Sequence, residues 1–303
     1  MKSKAVRDLI FSLFLALLML FSGALPVNAA AALAPANFVL IRGGDFTMGS
    51  PEGEVQREGD ETLHQVRLSN FSMDRYAVTV VDFRSFVEAT GYQTDAEKAG
   101  FSFIVSNGEV KSADGVNWRY GVSGSVRPRS EENHPVVHVS WNDAVAYCKW
   151  LSKTTGKQFR LPTEAEWEIA CRAGSSKPFT TGENLTSNQA NYDGSRPYNN
   201  HPKGLYRQNT VAVNTFAPNA WGLYNMHGNV WEWCSDWYGE KYYDDCNASG
   251  TVTNPAGTET GKGRVLRGGN WYDSADCCRS AFRNGYSPDS RNYGVGFRLV
   301  LVP

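Results

Sequence analysis

A chain of 303 residues with 41% hydrophobic and 13% aromatic residues can build a globular core, which excludes disorder over most of its length. Its 30 basic and 31 acidic residues leave a formal net charge of -1, so composition gives no reason to expect nucleic acid or an anionic membrane as a partner. The 29 glycines, 13 prolines and nine tryptophans favour a loop-rich fold over a helical bundle or a regular βα alternation.

The first predicted segment is a secretory signal. Three basic residues precede an apolar run over 9–21, and Val27 and Ala29 are the compact residues expected at a cleavage site. The run is too short to cross a hydrocarbon core of about 30 Å, so a retained membrane anchor is the weaker alternative. We expect a secreted or periplasmic protein with no membrane span after cleavage. The predicted segments are a signal peptide over 1–29, a linker over 30–36 and one domain over 37–302.

Short apolar stretches near the start of this domain predict strands. Residues 38–41 have the pattern of a buried strand that ends at Gly43 and Gly44, and 46–48 have that of the returning arm of a hairpin. Residues 65–73 alternate as a half-buried strand does. A small sheet is therefore expected at the start of the domain.

Three helices are marked by a hydroxyl residue followed three positions later by an acidic residue, which is the pattern of a capping box. The pairs are Thr79 with Asp82, Ser140 with Asp143, and Thr163 with Glu166. Apolar residues at helical spacing follow each pair, and the first pair predicts a helix over about 80–90. Residues 174–220 lack a sustained period and predict an irregular surface segment, whereas apolar pieces after residue 264 predict late strands separated by a long loop.

Four blocks of sequence, in this order, resemble the formylglycine-generating-enzyme (sulfatase-modifying-factor) family. They are GGDFTMG at 43–49, a block over 134–174 that contains RLPTEAEWE, NAWGLYNMHGNVWEWCSDW at 219–237, and a block over 264–300 with RVLRGGNW, SPDSRN and GFRLV. The resemblance implies a compact, loop-rich α+β fold related to C-type lectins, with little regular secondary structure. It also implies a range of functions, because relatives include copper-dependent oxidases, oxygenases, periplasmic maturation factors and variable binding proteins.

The run over 225–232 resembles the calcium loop of this family. The match implies that Asn225, the carbonyls of Gly228 and Val230, and Glu232 bind a structural calcium ion. Calcium takes about six to eight oxygen ligands, which the carbonyls of an irregular loop can supply. The alternative is that Asn225 and Glu232 only hydrogen-bond the loop.

Two further residues of this block are candidates for the site. Trp231 resembles a residue that lines the oxygen pocket of the active enzymes, although core packing explains an indole there equally well. His227 lies beside the calcium loop, and we expect it to be a structural hydrogen-bonding group rather than a catalytic one.

The loop after residue 268 is where the resemblance fails for the oxidase chemistry. The family's oxidases carry two cysteines in the pattern C-x-x-x-x-C here, whose thiolates bind copper(I). Counted forward from Gly268 and Gly269, these positions hold Asp273 and Cys278. Counted backward from Pro288, the loop is shorter than in the oxidases and Cys278 also misses its position. Either count removes the first cysteine, so copper binding and catalysis by Cys278 are not expected.

Cys277 does not restore the pair. On an extended chain it would point to the face opposite Cys278, so the two thiols could not easily bind one metal ion. The resemblance also implies a structural disulfide between Cys171 and Cys278, because Cys278 lies two residues before Ser280, whose family counterpart bonds the cysteine that matches Cys171. The connectivity of the other cysteines stays open.

Two classes of function remain. The favoured one is an exported binding or accessory maturation factor that holds a protein or peptide on its polar C-terminal loops, because Tyr, Arg and Asn are enriched in recognition surfaces. The alternatives are an ordinary solvated face, or an oxidoreductase that matures an exported protein or peptide, such as a sulfatase cysteine, through Cys278 as nucleophile. The predicted surface consists of Asn270, Tyr272, Asp273, Ser274, Asp276, Asn284, Tyr286, Arg291, Asn292 and Tyr293.

Overall fold

A computed structural model describes residues 37–302 of the chain. The signal peptide and linker predicted over 1–36 lie outside these residues. Within residues 37–302 no helix has both the length and the apolar character needed to cross a membrane.

The described residues form short strands joined by long irregular connections. The strands are β1 (Phe38–Ile41), β2 (Gly44–Met48), β3 (His64–Leu68), β4 (Phe71–Ala77), β5 (Phe101–Ser106), β6 (Glu109–Asp114), β7 (Phe159–Arg160), β8 (Trp231–Trp237), β9 (Val252–Thr253), β10 (Arg264–Arg267), β11 (Arg283–Tyr286), β12 (Val295–Gly296) and β13 (Arg298–Leu301). The late strands predicted after residue 264 are confirmed, and the segment over 174–220 is irregular, as predicted.

Of the helices, the three predicted from capping boxes begin where they were predicted, and two others were not predicted. The helices are α1 (Val80–Thr90), α2 (Asp95–Ala99), α3 (Trp141–Thr155), α4 (Glu164–Arg172) and α5 (Tyr242–Ser249), with 3-10 turns at Arg129–Glu131 and Ala275–Cys278. All three predicted capping boxes are confirmed, and Thr94 with Glu97 forms a further one before α2. These reciprocal bonds satisfy backbone N–H groups that a helix start would otherwise leave without partners.

The sheets bring distant parts of the chain together. One sheet has the order β1-β4-β13-β7, so β13 lies between two strands that precede it by more than a hundred residues. A second has the order β11-β10-β8-β12, and smaller sheets are β2-β3-β9 and β5-β6. The second sheet carries the loop over 268–282 between β10 and β11, whose ends are paired antiparallel at Arg267 and Arg283.

Two strand predictions are wrong. β1 and β2 do not form a hairpin, because β1 pairs with β4 and β2 pairs with β3. The strand predicted over 65–73 is broken at Asn70, whose side chain accepts a 2.8 Å hydrogen bond from the Gly43 N–H. A Cβ at Gly43 would lie 2.2 Å from the Leu68 carbonyl oxygen, so the two connections cross too closely for any other residue.

The hairpin of β5 and β6 was not predicted from the sequence. β5 buries Ser102 and Ile104, but every residue of β6 is exposed or half-buried. The polar composition of β6 hides the alternation by which a strand is recognised.

The core of the described domain includes buried arginines as well as aromatic rings. Trp167, Trp233 and Trp271 are almost fully buried. Four arginines of the C-terminal region are buried with them, and each forms an ion pair with a buried carboxylate. The pairs are Arg267 with Glu168, Arg279 with Glu61, Arg283 with Glu164, and Arg298 with Glu232.

Candidate functional site

The loop that follows β10 begins with two glycines in the left-handed region, at φ values of 102° for Gly268 and 72° for Gly269. A Cβ at Gly269 would lie 2.7 Å from the Cys278 sulfur and 3.0 Å from the Cys277 carbonyl oxygen. The loop thus folds back on its own start, and the 3-10 turn at Ala275–Cys278 closes it.

Asp273 is half-buried at the bend of this loop. Its carboxylate accepts a 3.1 Å hydrogen bond from the Asn270 N–H, and its own N–H donates to the Asn270 carbonyl at 3.2 Å. The Asp193 N–H donates to the Asp273 carbonyl at 2.8 Å. Both the side chain and the backbone of Asp273 are therefore fixed.

The carboxyl group of Asp273 is expected to gain or lose its proton near neutral pH. Burial raises the pKa of Asp273 to about 6, against hydrogen bonds from Asn270 and the Trp231 indole and the charge of Arg196, all of which favour the carboxylate. The structure thereby brings Trp231 and Asp273, two of the predicted site residues, into one site. A carboxyl group with such a pKa is a common feature of functional sites.

Two residues that were not predicted hold the Asp273 loop from outside. Arg196 donates to the Tyr272 carbonyl and forms a 2.8 Å ion pair with Asp193, and the Arg196 carbonyl accepts from the Ala275 N–H at 3.2 Å. Both lie in the irregular segment over 174–220, where no periodic pattern marks individual residues. Only the Asp-x-x-Arg spacing is visible in the sequence.

Aromatic rings form one side of the site. Trp271, Tyr272 and Tyr293 meet edge to face, with ring centroids 5.5 to 5.7 Å apart. Tyr206, which was not predicted, stacks on Trp271 at 6.2 Å. The Tyr272 hydroxyl donates to the Gly108 carbonyl at the tip of the β5–β6 hairpin, at 2.7 Å, so the hairpin borders the site.

The two neighbouring cysteines of the loop have different surroundings. Cys278 is fully buried, and burial raises the pKa of its thiol well above the ordinary value. Cys277 is half-buried, and burial followed by the charge of Asp273 raises the pKa of its thiol to about 12. Both lie on a 3-10 turn rather than on the extended chain assumed from the sequence. Neither thiol is activated as a nucleophile.

Within residues 37–302, which contain all six cysteines, each cysteine is a free thiol, so the disulfide expected between Cys171 and Cys278 is absent. The Cys171 sulfur lies 3.7 Å from the Ser280 hydroxyl, whereas the Cys278 sulfur lies 3.8 Å from the Ser274 carbonyl. The 3-10 turn places Cys278 in a cluster with Phe179 and other buried aromatic rings.

The predicted calcium loop is only partly available to an ion. The Asn225 Oδ1 atom is buried and has no hydrogen-bond partner, as expected of a side chain that binds a cation. Glu232 is instead paired with Arg298 through both of its oxygens at 2.7 Å and accepts from the Trp167 indole at 2.7 Å. Gly228 is a left-handed residue packed against the Asn191 backbone. Among residues 37–302 no three His, Cys, Asp or Glu side chains group to hold a metal.

His227 has the structural geometry expected of it. Its Nδ1 lies 2.8 Å from the Cys278 carbonyl and its Nε2 accepts from the Thr180 N–H at 3.0 Å, which assigns the proton to Nδ1. Burial lowers the pKa of His227 to about 4, so the ring is neutral at physiological pH. It also lines a cleft of about 530 Å3 together with Asn225.

The predicted surface is less open than an ordinary solvated face. Asn270 is buried, and the other nine residues are half-buried. Several of them hold backbone rather than face a ligand: Asn284 and Asn292 accept from the Gly285 and Gly294 N–H groups, both at 2.8 Å. Arg291 lies over the Phe101 ring at 4.5 Å. Asp273, Ser274, Asp276 and the tyrosines are left as the groups that a ligand could contact.

Comparison with known proteins identifies the family. The model of the sulfatase-modifying factor enzyme 1-like domain matches residues 24–302. The formylglycine-generating enzyme of Thermomonospora curvata is 40% identical over 88% of this chain and 93% of its own length. The inactive C-alpha-formylglycine-generating enzyme 2 of Bos taurus is 34% identical over 87% of each chain. The structure of PvdO from Pseudomonas aeruginosa, 31% identical, superposes with a TM-score of 0.70 over 88% of this chain and 94% of that one.

The chain therefore belongs to the sulfatase-modifying-factor (formylglycine-generating-enzyme) family. Its fold is the mixed α+β fold of that family, as the resemblance implied. Since relatives include both enzymes and proteins named as inactive, membership leaves the activity of this chain to its own site residues.

The close approach at Gly269 predicts a difference between two alanine substitutions. Gly269 and Gly156 have the same φ of 72°, but a Cβ at Gly156 would meet no atom within 4 Å. We expect Gly156→Ala to lower the free energy of unfolding by about 1 kcal/mol through backbone strain. Gly269→Ala should cost about 1 to 3 kcal/mol more, because its methyl group overlaps the Cys278 sulfur. Chemical denaturation of both variants measures the difference, and equal losses would contradict this packing.

Proposed function

We propose that this protein is not a competent formylglycine oxidase and that it binds a protein or peptide as an accessory maturation factor. The observation that carries the proposal is the loop at Asp273: a carboxylate occupies the first of the two positions where the resemblance expects a thiolate. Copper(I) prefers soft sulfur ligands, and a hard carboxylate is a poor substitute. The second position, Cys278, is closed in the protein core.

The surroundings of Asp273 support binding as the alternative use of the same site. A fixed carboxyl group, half-buried tyrosines and polar loop residues form a preorganised surface rather than a mobile one. Tyrosine supplies large contact area at a low entropic cost, which favours recognition of another chain. An oxidoreductase that matures an exported peptide is the second candidate, and it would need a thiol with a lowered pKa that this loop lacks.

The oxidase test uses a cysteine-containing sulfatase peptide with copper and oxygen, read by mass spectrometry. We expect no aldehyde from the unmodified protein, because one thiolate position is a carboxylate and the other thiol is buried. An Asp273→Cys variant is assayed in parallel. Aldehyde from the variant alone would identify the carboxylate as the block, whereas appreciable aldehyde from the unmodified protein would refute the proposal.

We also propose that a structural calcium ion binds through Asn225 and the carbonyls of Gly228 and Val230. The buried Oδ1 of Asn225, which has no hydrogen-bond partner, supports this site. Glu232, the fourth ligand implied by the resemblance, would have to add the ion to its existing bonds with Arg298. The ion would supply positive charge that fixes the loop beside Trp231.

Calcium removal should lower the melting temperature, because only the folded state assembles these carbonyls. At a calcium concentration of about 100 times Kd, binding stabilises the native state by about 2.7 kcal/mol. Asn225→Ala should abolish the response, and Asn200→Ala is the matched control, since Asn200 is exposed and has a similar left-handed φ, 56° against 52°. An unchanged melting curve in excess chelator, with no calcium in elemental analysis, would contradict the site.

We propose that the protein is exported by cleavage after Ala29, on the basis of the basic, apolar and small-residue pattern of its first 29 residues. The mature protein is expected to begin at about Ala30 and to be secreted or periplasmic. Sequencing the N-terminus of the protein recovered from its producing cells tests this. A chain that still begins at Met1 would refute it.

A further inference from the structure

Three positions of the chain have the sequence Asn-x-Ser or Asn-x-Thr, which the proposed function does not use. They are the triplets at 70–72, 184–186 and 247–249, with the sequences NFS, NLT and NAS. A triplet of this kind, with any middle residue other than proline, is the acceptor motif for N-linked glycans in secreted proteins. A motif this short also occurs by chance, so burial and contacts have to distinguish among the three asparagines.

Two of the triplets are anchored in the core through their middle residue. Phe71 is almost fully buried and begins β4, where it pairs with Ile41 of β1. Leu185 is fully buried in the cluster that also contains Cys278. An acceptor segment has to leave the protein surface and extend into a glycosyltransferase, and here that movement would pull a core side chain into water. Neither triplet can be modified in the folded protein without unpacking the core.

Polar groups of the same two triplets are also engaged or buried. The Asn70 Oδ1 atom accepts a 2.8 Å hydrogen bond from the Gly43 N–H. The Asn184 Oδ1 atom is buried. The Thr186 hydroxyl, which completes the second triplet, donates to the Gln189 Oε1 atom at 2.8 Å. These contacts further oppose release of either segment from the surface.

The third triplet is at the surface along its whole length. Asn247, Ala248 and Ser249 are all exposed, so no side chain of the triplet is held in the core. The Ser249 hydroxyl donates to the Asp245 carbonyl at 2.7 Å, a bond within the same turn of α5. The asparagine amide and the serine hydroxyl, the two groups that define the motif, are therefore both accessible in the folded protein.

The last turn of α5 can open without disturbing the core. Tyr243 and Cys246 are the buried residues of this helix, and both precede the triplet. The bond that closes the last turn, from the Gly250 N–H to the Asn247 carbonyl, is 3.3 Å long. Gly250 has a φ of 78°, in the left-handed region, so the helix ends there. Helix ends of this kind fray readily, which allows residues 247–249 to extend.

We propose that Asn247 carries an N-linked glycan in the exported protein. The donor is an oligosaccharide joined to a lipid through a diphosphate. Nδ2 of Asn247 attacks the anomeric carbon of the first sugar, and the new C–N bond replaces the C–O bond to the diphosphate. The lipid diphosphate leaves, and Nδ2 gives up one of its two protons to a base of the transferase. No oxidant or reductant is needed. The modification requires the proposed export, because these donors act outside the cytoplasm.

The test is mass spectrometry of peptides from the full chain recovered from its producing cells. We expect the peptide that contains Asn247 to carry added mass that fragments as sugar residues. The peptides that contain Asn70 and Asn184 should have no added mass in the same digest. An unmodified Asn247, or sugar on Asn70 or Asn184 in the folded protein, overturns the inference.

Matched variants show which atom carries the glycan. Ser249→Ala keeps the asparagine but removes the motif, so the sugar mass should be lost, whereas Ser249→Thr keeps the motif and the sugar. Asn247→Gln keeps the serine, so loss of sugar in this variant excludes attachment to the serine hydroxyl. Asn188→Gln is the control, because Asn188 is exposed and lies outside any such triplet. All four substitutions are at exposed positions, and the melting temperature should stay the same. Sugar that persists in Ser249→Ala or Asn247→Gln contradicts the site.

The glycan and the export fail separately. A mature chain that begins near Ala30 and has an unmodified Asn247 would refute the glycan and leave the export standing. A chain that still begins at Met1 would refute the export, and the glycan with it.

Discussion

The buried pairing of arginines with carboxylates is the constraint on which the rest of this structure depends. An unpaired guanidinium in a protein interior costs several kcal/mol, so each buried arginine requires its partner in place. Burial alone would raise the pKa of Glu164, but the charge and hydrogen bonds of Arg283, followed by the charge of Arg267, more than offset this and lower the pKa. The partners lie in the loop after β2, in α4 and in β8. The C-terminal segment therefore takes its shape only when these distant elements have folded.

This constraint explains why the candidate site can vary within a fixed fold. The loop over 268–282 lies between Arg267 and Arg283, which are paired across β10 and β11 and are each anchored to α4 by a carboxylate. The strand pairing and these ion pairs hold both ends of the loop in place, whichever residues lie between them. Asp273 can then stand in a position where relatives are expected to hold a thiol, because the hydrogen bonds of its side chain, from the Asn270 N–H and the Trp231 indole, are separate from the ion pairs that hold the loop ends.

Interactions between residues close in sequence made much of the fold predictable. Pairing between distant segments could not be predicted in the same way. The capping boxes at Thr79, Ser140 and Thr163 act within one helical turn, so the sequence contains the whole interaction. Strand pairing depends on which distant segment lies alongside, and for this reason β1 was assigned to the wrong partner. The family resemblance predicted the position of the site, but Arg196 and Tyr206 were missed because an irregular segment positions them.

The same distinction applies to the chemistry of the site. The resemblance places Asp273 where a thiolate ligand is expected on the evidence of one residue, whereas the pKa of Asp273 depends on burial and on groups as far away in sequence as Arg196 and Trp231. A carboxylate held at partial burial without an ion pair lowers the stability of the fold. Such a cost is typical of residues retained for function, because an asparagine of the same shape would avoid it. The burial of Cys278, by contrast, stabilises the fold because it adds apolar contact. It also removes a thiol from the site. The loop thus holds a carboxylate where the resemblance expects a thiolate, and its fully buried thiol lies in the core.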